Sequence, residues 1–270
     1  SHIVMEVLKR GEGLVVRHTM SLSRILLQML EGDKTEAADL DRILVQYGWT
    51  VKDDYFCACF FPEERDIHTN SVQYFCSRLI DEFPEICAFL YDKCVVMLVN
   101  STMGDMNPGS FGNRVAVILR EGLMKVGISS LCSDLTLFPY YYRQAVAAYE
   151  TGRQKHDTFW SYRFDDYQMD YVLENALQKF PAELLCSQEI LWLKNYDKTH
   201  TAELGRTLRV YLESDRNLAR TADTLQIHRS TLLYRIGRIR DITHLELEEP
   251  RERFRLLLSF YLLDTSHGQT

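Results

Sequence analysis

Near the start of the chain Leu22, Ile25, Leu26, Met29 and Leu30 recur at helical spacing, and Gly32 ends the pattern. An amphipathic helix of this kind needs a partner, either the next domain or a second copy of itself. The period then shortens. Residues 55–61 form an apolar run closed by Pro62, with the length and content of a buried strand. A helix is predicted over 71–83. Two more apolar runs, 86–91 and 94–99, are separated only by Asp92 and Lys93, which predicts a tight hairpin without the favoured Asn-Gly pair. A helix over 111–124, a strand over 126–131, a helix from Pro139 through Ala145, Ala148 and Tyr149 to Gly152, and a short strand over 159–164 follow. This order of elements predicts a ferredoxin-like α+β unit, an antiparallel sheet carrying helices on one face.

Residues 167–180 and 181–195 read as helical. Beyond Thr201 only helices are indicated, over 202–212, 217–225, 229–241 and 253–263, enough for a compact all-α domain. The expected organisation is a connecting or dimerisation helix in 1–40, the α+β domain in 41–165, a helical connector in 166–200 and an all-α domain in 201–266.

Composition changes this picture little. No run approaches the roughly 18 apolar residues of a spanning helix, and the start lacks the basic-then-apolar pattern of a secretory signal, so a cytoplasmic protein without membrane contact is expected. Cys57, Cys59, Cys76, Cys87, Cys94, Cys132 and Cys186 are scattered, with no C-x-x-C pair and no histidines at ligand spacing. They read as core residues, Cys57 and Cys59 on one side of a strand, and neither metal nor cofactor is expected. Charge is more informative. The chain carries −7 overall, yet six arginines (Arg216, Arg220, Arg229, Arg235, Arg238, Arg240) face one acid, Asp223, between 216 and 240; that segment's +5 leaves −12 for everything else. A positive segment in an acidic chain excludes indiscriminate coating of nucleic acid and points to a local contact.

The same segment has the pattern of a helix-turn-helix. Such a motif needs a small residue in its first helix, an apolar pivot at the turn and apolar anchors on the inner face of the second. Ala222 is the small residue, Leu225 and Ile227 bracket the turn, and Leu232, Ile236 and Ile239 form the inner stripe. Ser230, Tyr234 and Arg238 fall on the opposite face, with Arg229 at the tip and Arg235 on the flank. Residues at the N-terminal end of a recognition helix reach base edges, so Arg229 and Ser230 are the expected reading pair. Thr231, Tyr234, Arg235 and Arg238, with Asn217 and Arg220 at the start of the first helix, are expected on phosphates, fixing register and affinity.

Read as L-x-x-T-L-x-x-Y-L from Leu204, N-L-A-R-T-A-D-T-L from Asn217, H-R-S-T-L-L-Y-R-I-x-R-I from His228 and P-R-E-R-F-R-L-L-L from Pro250, the last quarter of the chain resembles the DNA-binding domain of the PucR/CdaR regulators. His228, Arg229, Thr231, Leu232, Tyr234, Arg235 and Ile239 all stand where that signature has them. The preceding unit is similar, in element order, to the degenerate GGDEF-like domain that stands before this helix-turn-helix. The resemblance implies a homodimer on double-stranded operator DNA, controlling catabolic genes in response to a small-molecule inducer. It also implies that the family's N-terminal sensory domain is absent or truncated here.

Three positions depart from the family. Ser230 replaces a common Asn, which puts any borrowed operator sequence in doubt. Gly237 lies inside the recognition helix at a cost of about 1 kcal/mol relative to Ala, either admitting a DNA backbone or serving nothing. His244 stands where a left-handed glycine is expected.

Two competing readings have their own discriminators. A cyclic-dinucleotide enzyme needs acids and glycines at the hairpin; Tyr91-Asp92-Lys93-Cys94 offers one acid and no glycine, so no catalysis is expected. A protein-interaction or small-ligand module with a vestigial helix-turn-helix would show little DNA binding at any salt. Asp165 and Asp166 read as a helix N-terminus and Tyr140-Tyr141-Tyr142 as packing at the start of a helix.

Overall fold

A computed structural model describes residues 14–63, 69–83 and 86–267 of the chain. The first thirteen residues of the expected 1–40 segment lie outside the described residues. The chain divides into two compact units, residues 1–171 and 172–270.

In the first unit, helices α1 (Leu14–Glu31) and α2 (Ala37–Leu44) precede strand β1 (Tyr55–Pro62). Helix α3 (Thr69–Glu82), the hairpin β2 (Ile86–Tyr91) and β3 (Cys94–Asn100), short helices α4 (Pro108–Arg114) and α5 (Ala116–Glu121), and β4 (Met124–Ile128) come next. Helix α6 (Phe138–Lys155), β5 (Ser161–Arg163) and α7 (Phe164–Leu177) complete the set. The sheet order is β2-β3-β1-β4-β5, antiparallel from β2 to β4 with β5 added in parallel beside β4. The α+β order read from the sequence is therefore the observed one.

Helices on one face only is an expectation the structure corrects. Along β1, Phe56, Ala58 and Phe60 pack with Phe75 and Leu79 of α3, Phe111 of α4 and Ile118 and Leu119 of α5. The alternate residues Tyr55, Cys57 and Cys59 pack on the other face with Leu22, Leu26 and Met29 of α1, Leu40 and Leu44 of α2, and Phe138 of α6. The physical reason lies in the strands themselves. β1 and β3 are continuously apolar instead of alternating, and such strands must be covered on both sides. Cys57 and Cys59 share the second face with their Sγ atoms 3.9 Å apart. At Gly127 on β4 a Cβ would run into the carbonyl of Ala145, so this glycine lets α6 lie close on the sheet.

The helix expected over 111–124 is instead the pair α4 and α5. Asn107 caps α4 by accepting from the Ser110 amide at 3.0 Å, and Pro108 takes the first position, so the helix starts earlier than its apolar residues indicate. At the hairpin, Asp92 and Lys93 both hold positive φ (42° and 65°), the backbone of a type I′ turn built without Asn-Gly. Asp165 and Asp166 occupy the first turn of α7, and Tyr141 and Tyr142 pack against the second face of the sheet while Tyr140 is exposed.

The second unit contains α8 (Ala182–Leu185), α9 (Gln188–Thr199), α10 (Leu204–Glu213), α11 (Leu218–Leu225), α12 (Arg229–Thr243) and α13 (Pro250–His267). Its core joins Ile190 and Leu193 of α9, Leu204, Leu208 and Leu212 of α10, Ala222 of α11, Leu232, Ile236 and Ile239 of α12, and Leu256, Leu262 and Leu263 of α13.

Candidate nucleic-acid interface

The helix-turn-helix is built by α11, a tight turn and α12. Asn217 stands just outside α11, and its side-chain oxygen accepts from the amides of Ala219 (3.0 Å) and Arg220 (3.1 Å). Thr221 is fully buried and donates its hydroxyl to the Asn217 carbonyl at 2.7 Å, so the polar group enters the core with its bond made. Gln226 then turns the chain with φ 54°, and the Ile227 amide returns to the Ala222 carbonyl at 3.0 Å. Ala222, 8% exposed, is small enough to let α12 cross close by.

His228 caps α12, its Nδ1 accepting from the Ser230 amide at 3.3 Å and lying 2.8 Å from the Ser230 hydroxyl. Leu232, Ile236 and Ile239 are buried, as their spacing predicts. That leaves Ser230, Thr231, Tyr234 and Arg238 exposed on the side of α12 away from this stripe and Arg229 exposed at its N-terminal tip, with Tyr234 72% exposed. Arg220 is exposed on α11. Asn217 is exposed too, with its side-chain oxygen committed to the cap.

Arg235 differs from the rest. Its side chain is 16% exposed and reaches Glu203 at 3.3 Å and Thr207 at 3.1 Å, just before and within α10. Glu203 also holds Arg206 at 3.1 Å, and the hydrogen bonds from Arg206 and then Arg235 draw its carboxyl below the usual glutamate range. Glu248 performs a similar task for Arg216 and, at 3.0 Å, for Arg240. Three of the six arginines are thus tied to acids of their own domain, and among the described residues Arg220, Arg229 and Arg238 make no ion pair. Within the 216–240 segment these three are the arginines left without an acidic partner.

Three further residues of this region are given no role by the sequence reading. Leu233 is 49% exposed on α12, an apolar residue out of phase with the buried stripe, and that phase shift was its signal. His228 carried a signal as well, a polar residue directly before a helix. Glu203 carried none, because it lies 32 residues from Arg235. At the end of α12, His244 adopts the left-handed conformation (φ 54°, ψ 24°) that its place after the helix implies.

In the other unit, Asp92 and Lys93 are exposed at the hairpin tip, and the Tyr91 hydroxyl donates to the Leu30 carbonyl at 3.4 Å. Among the described residues no three His, Cys, Asp or Glu side chains stand together as metal ligands would, and no helix is long and apolar enough to cross a membrane.

Residues 204–262 match the PucR C-terminal helix-turn-helix domain and residues 31–151 match the GGDEF-like domain. The chain is 29% identical over 142 residues to the proline-responsive transcriptional activator PutR of Bacillus subtilis, covering 51% of this chain and 34% of PutR. It is 27% identical over 137 residues to the purine catabolism regulatory protein of the same organism, covering 49% and 25%. The DNA-binding transcriptional activator AdeR, also from B. subtilis, is 33% identical over 70 residues, 26% of this chain and 17% of AdeR. The matched stretches therefore span about a third or less of these relatives. The chain thus carries a GGDEF-like domain followed by a PucR C-terminal helix-turn-helix domain.

Proposed function

We propose that the chain is a sequence-specific DNA-binding transcriptional regulator that reads its operator with α12. The observation that carries this reading is the exposed surface of α12, where Arg238 beside Ser230, Thr231 and Tyr234, and Arg229 at the N-terminal tip, make no ion pair among the described residues. Arg229 and Ser230, in the first turn, contact base edges, an arginine on guanine discriminating by about 1–3 kcal/mol. Thr231, Tyr234, Arg238, Arg220 and the free amide of Asn217 contact phosphates and set register. Arg235 serves the site from behind, holding α12 against α10.

One recognition helix spans too few base pairs for genomic selectivity, so the operator is bound by a homodimer. Catabolic genes under a small-molecule inducer, in the cytoplasm, are the setting that these domain matches support. The sheet domain is a structural or signal-transmitting unit and not an enzyme: one exposed acid at its hairpin tip does not hold a metal-bound nucleotide.

The test is selection of genomic fragments at about 0.15 M salt by the protein and by Arg229→Ala, followed by sequencing. A repeated half-site is expected with the first and not with the second. No enrichment by the intact protein would overturn the reading and leave an interaction module with a vestigial helix-turn-helix. Incubation with GTP and magnesium is expected to give no turnover.

A further inference from the structure

A glycine inside a helix shifts the folding equilibrium unfavourably by about five-fold relative to alanine, so it persists where a Cβ would meet something or where φ is positive. This protein shows both reasons elsewhere. A Cβ at Gly112 would lie 2.5 Å from the Ser161 hydroxyl, and one at Gly122 would lie 2.6 Å from the Phe75 ring. Gly32 and Gly48 have φ of +104° and +71°.

Gly237 has neither reason. It sits in the interior of α12, its φ is not positive, and nothing in the protein lies within 4 Å of where its Cβ would stand. It lies seven residues after Ser230 and three after Tyr234, on the side of the helix facing away from buried Leu232, Ile236 and Ile239. Next to it is Arg238, which has no ion pair among the described residues. The cost of this glycine has no intramolecular return, and its position is on the face assigned to DNA.

We propose that Gly237 is a specificity-determining close-approach point, where the wall of the operator's major groove packs against bare helix backbone. This rests on reading α12 as the recognition helix. A methyl group at this point would hold the middle of the helix away from the groove and lengthen the contacts of Tyr234 and Ser230. Non-specific binding, which uses long arginine side chains and tolerates a looser fit, would be little affected.

The experiment compares the intact protein with Gly237→Ala, measuring thermal unfolding, affinity for a fragment selected by the intact protein, and affinity for unrelated DNA of equal length. The melting temperature of the helical domain is expected to rise by a few degrees. Affinity for the selected fragment is expected to fall about ten-fold or more, the scale of one good groove contact, while affinity for unrelated DNA changes less than about two-fold. Selected-fragment affinity that is unchanged or improved, alongside the higher melting temperature, overturns the proposal and leaves the DNA-binding reading standing. Failure of the intact protein to select any fragment overturns both.

Discussion

The guanidinium of Arg235 lies 3.3 Å from Oε2 of Glu203 and 3.1 Å from the Thr207 hydroxyl, pinning the middle of α12 to the start of α10. The link fixes the angle at which the exposed face is presented. It is a partly exposed pair, so its net contribution to stability is modest, about 1 kcal/mol including the bond to Thr207.

Arg235→Ala is expected to lower the unfolding free energy by about 1 kcal/mol and to weaken selected-fragment binding through loss of orientation. Its slope of binding against salt should stay that of the intact protein, because the side chain is already paired. A slope reduced by about 0.9 would instead identify Arg235 as a phosphate contact.

Acid should expose the same link. The Glu203 carboxyl titrates below the usual glutamate range because Arg206 and Arg235 hydrogen-bond to it. A depressed carboxylate stabilises the fold above its unfolded value and loses that contribution as pH falls through its folded one. Between about pH 6 and pH 3 the intact protein should therefore lose more melting temperature than Glu203→Gln does. Parallel losses would show that the pairing carries no stability.

Salt dependence should count the unpaired arginines that meet phosphates. With Arg220 and Arg238 on phosphates and Arg229 on a base edge, the logarithm of the binding constant should fall by about 1.8 per logarithm of salt for each protomer, and Arg238→Ala should reduce that by about 0.9. Arg216→Ala and Arg240→Ala, which remove partners of Glu248, should leave the slope unchanged. Six arginines acting together would give about 5 instead.

His244 and Lys93 are held at positive φ, which a side chain resists and glycine does not. His244→Gly and Lys93→Gly should each stabilise the protein by about 1 kcal/mol in denaturant unfolding. Destabilisation by His244→Gly would mean that the imidazole makes a contact outweighing the backbone strain.

All seven cysteines are buried, and burial pushes the Cys76 and Cys132 thiols up to about 12. Thiol reagents at about pH 8 should label none of them on the time scale of minutes while the protein is folded, and all seven in denaturant. Rapid labelling of Cys57 or Cys59 in the folded state would contradict the packing of the second face of the sheet.

Much of this protein is legible in its sequence because the deciding interactions are local. The spacing of Leu232, Ile236 and Ile239 orients α12 whatever surrounds it, since the helical repeat alone brings them to one side. Pro62, Gly32 and the two residues between β2 and β3 mark their boundaries by steric preference. The left-handed turn at His244 follows from the end of a helix. Where local signals compete the reading slips: Asn107 and Pro108 start α4 ahead of its apolar pattern.

What tertiary structure alone decided is the fate of charges and faces. Arg216, Arg235 and Arg240 look the same in sequence as Arg220, Arg229 and Arg238. Only folding brings Glu203 to the first group's Arg235 and Glu248 to its other two, across 32 residues or fewer, separating arginines tied to acids of the domain from those without an ion pair among the described residues. The second covered face of the sheet is likewise a matter of which helices return to it. Periodicity states that a surface is apolar, but what covers it depends on contacts between distant segments, and those form only when the chain closes on itself.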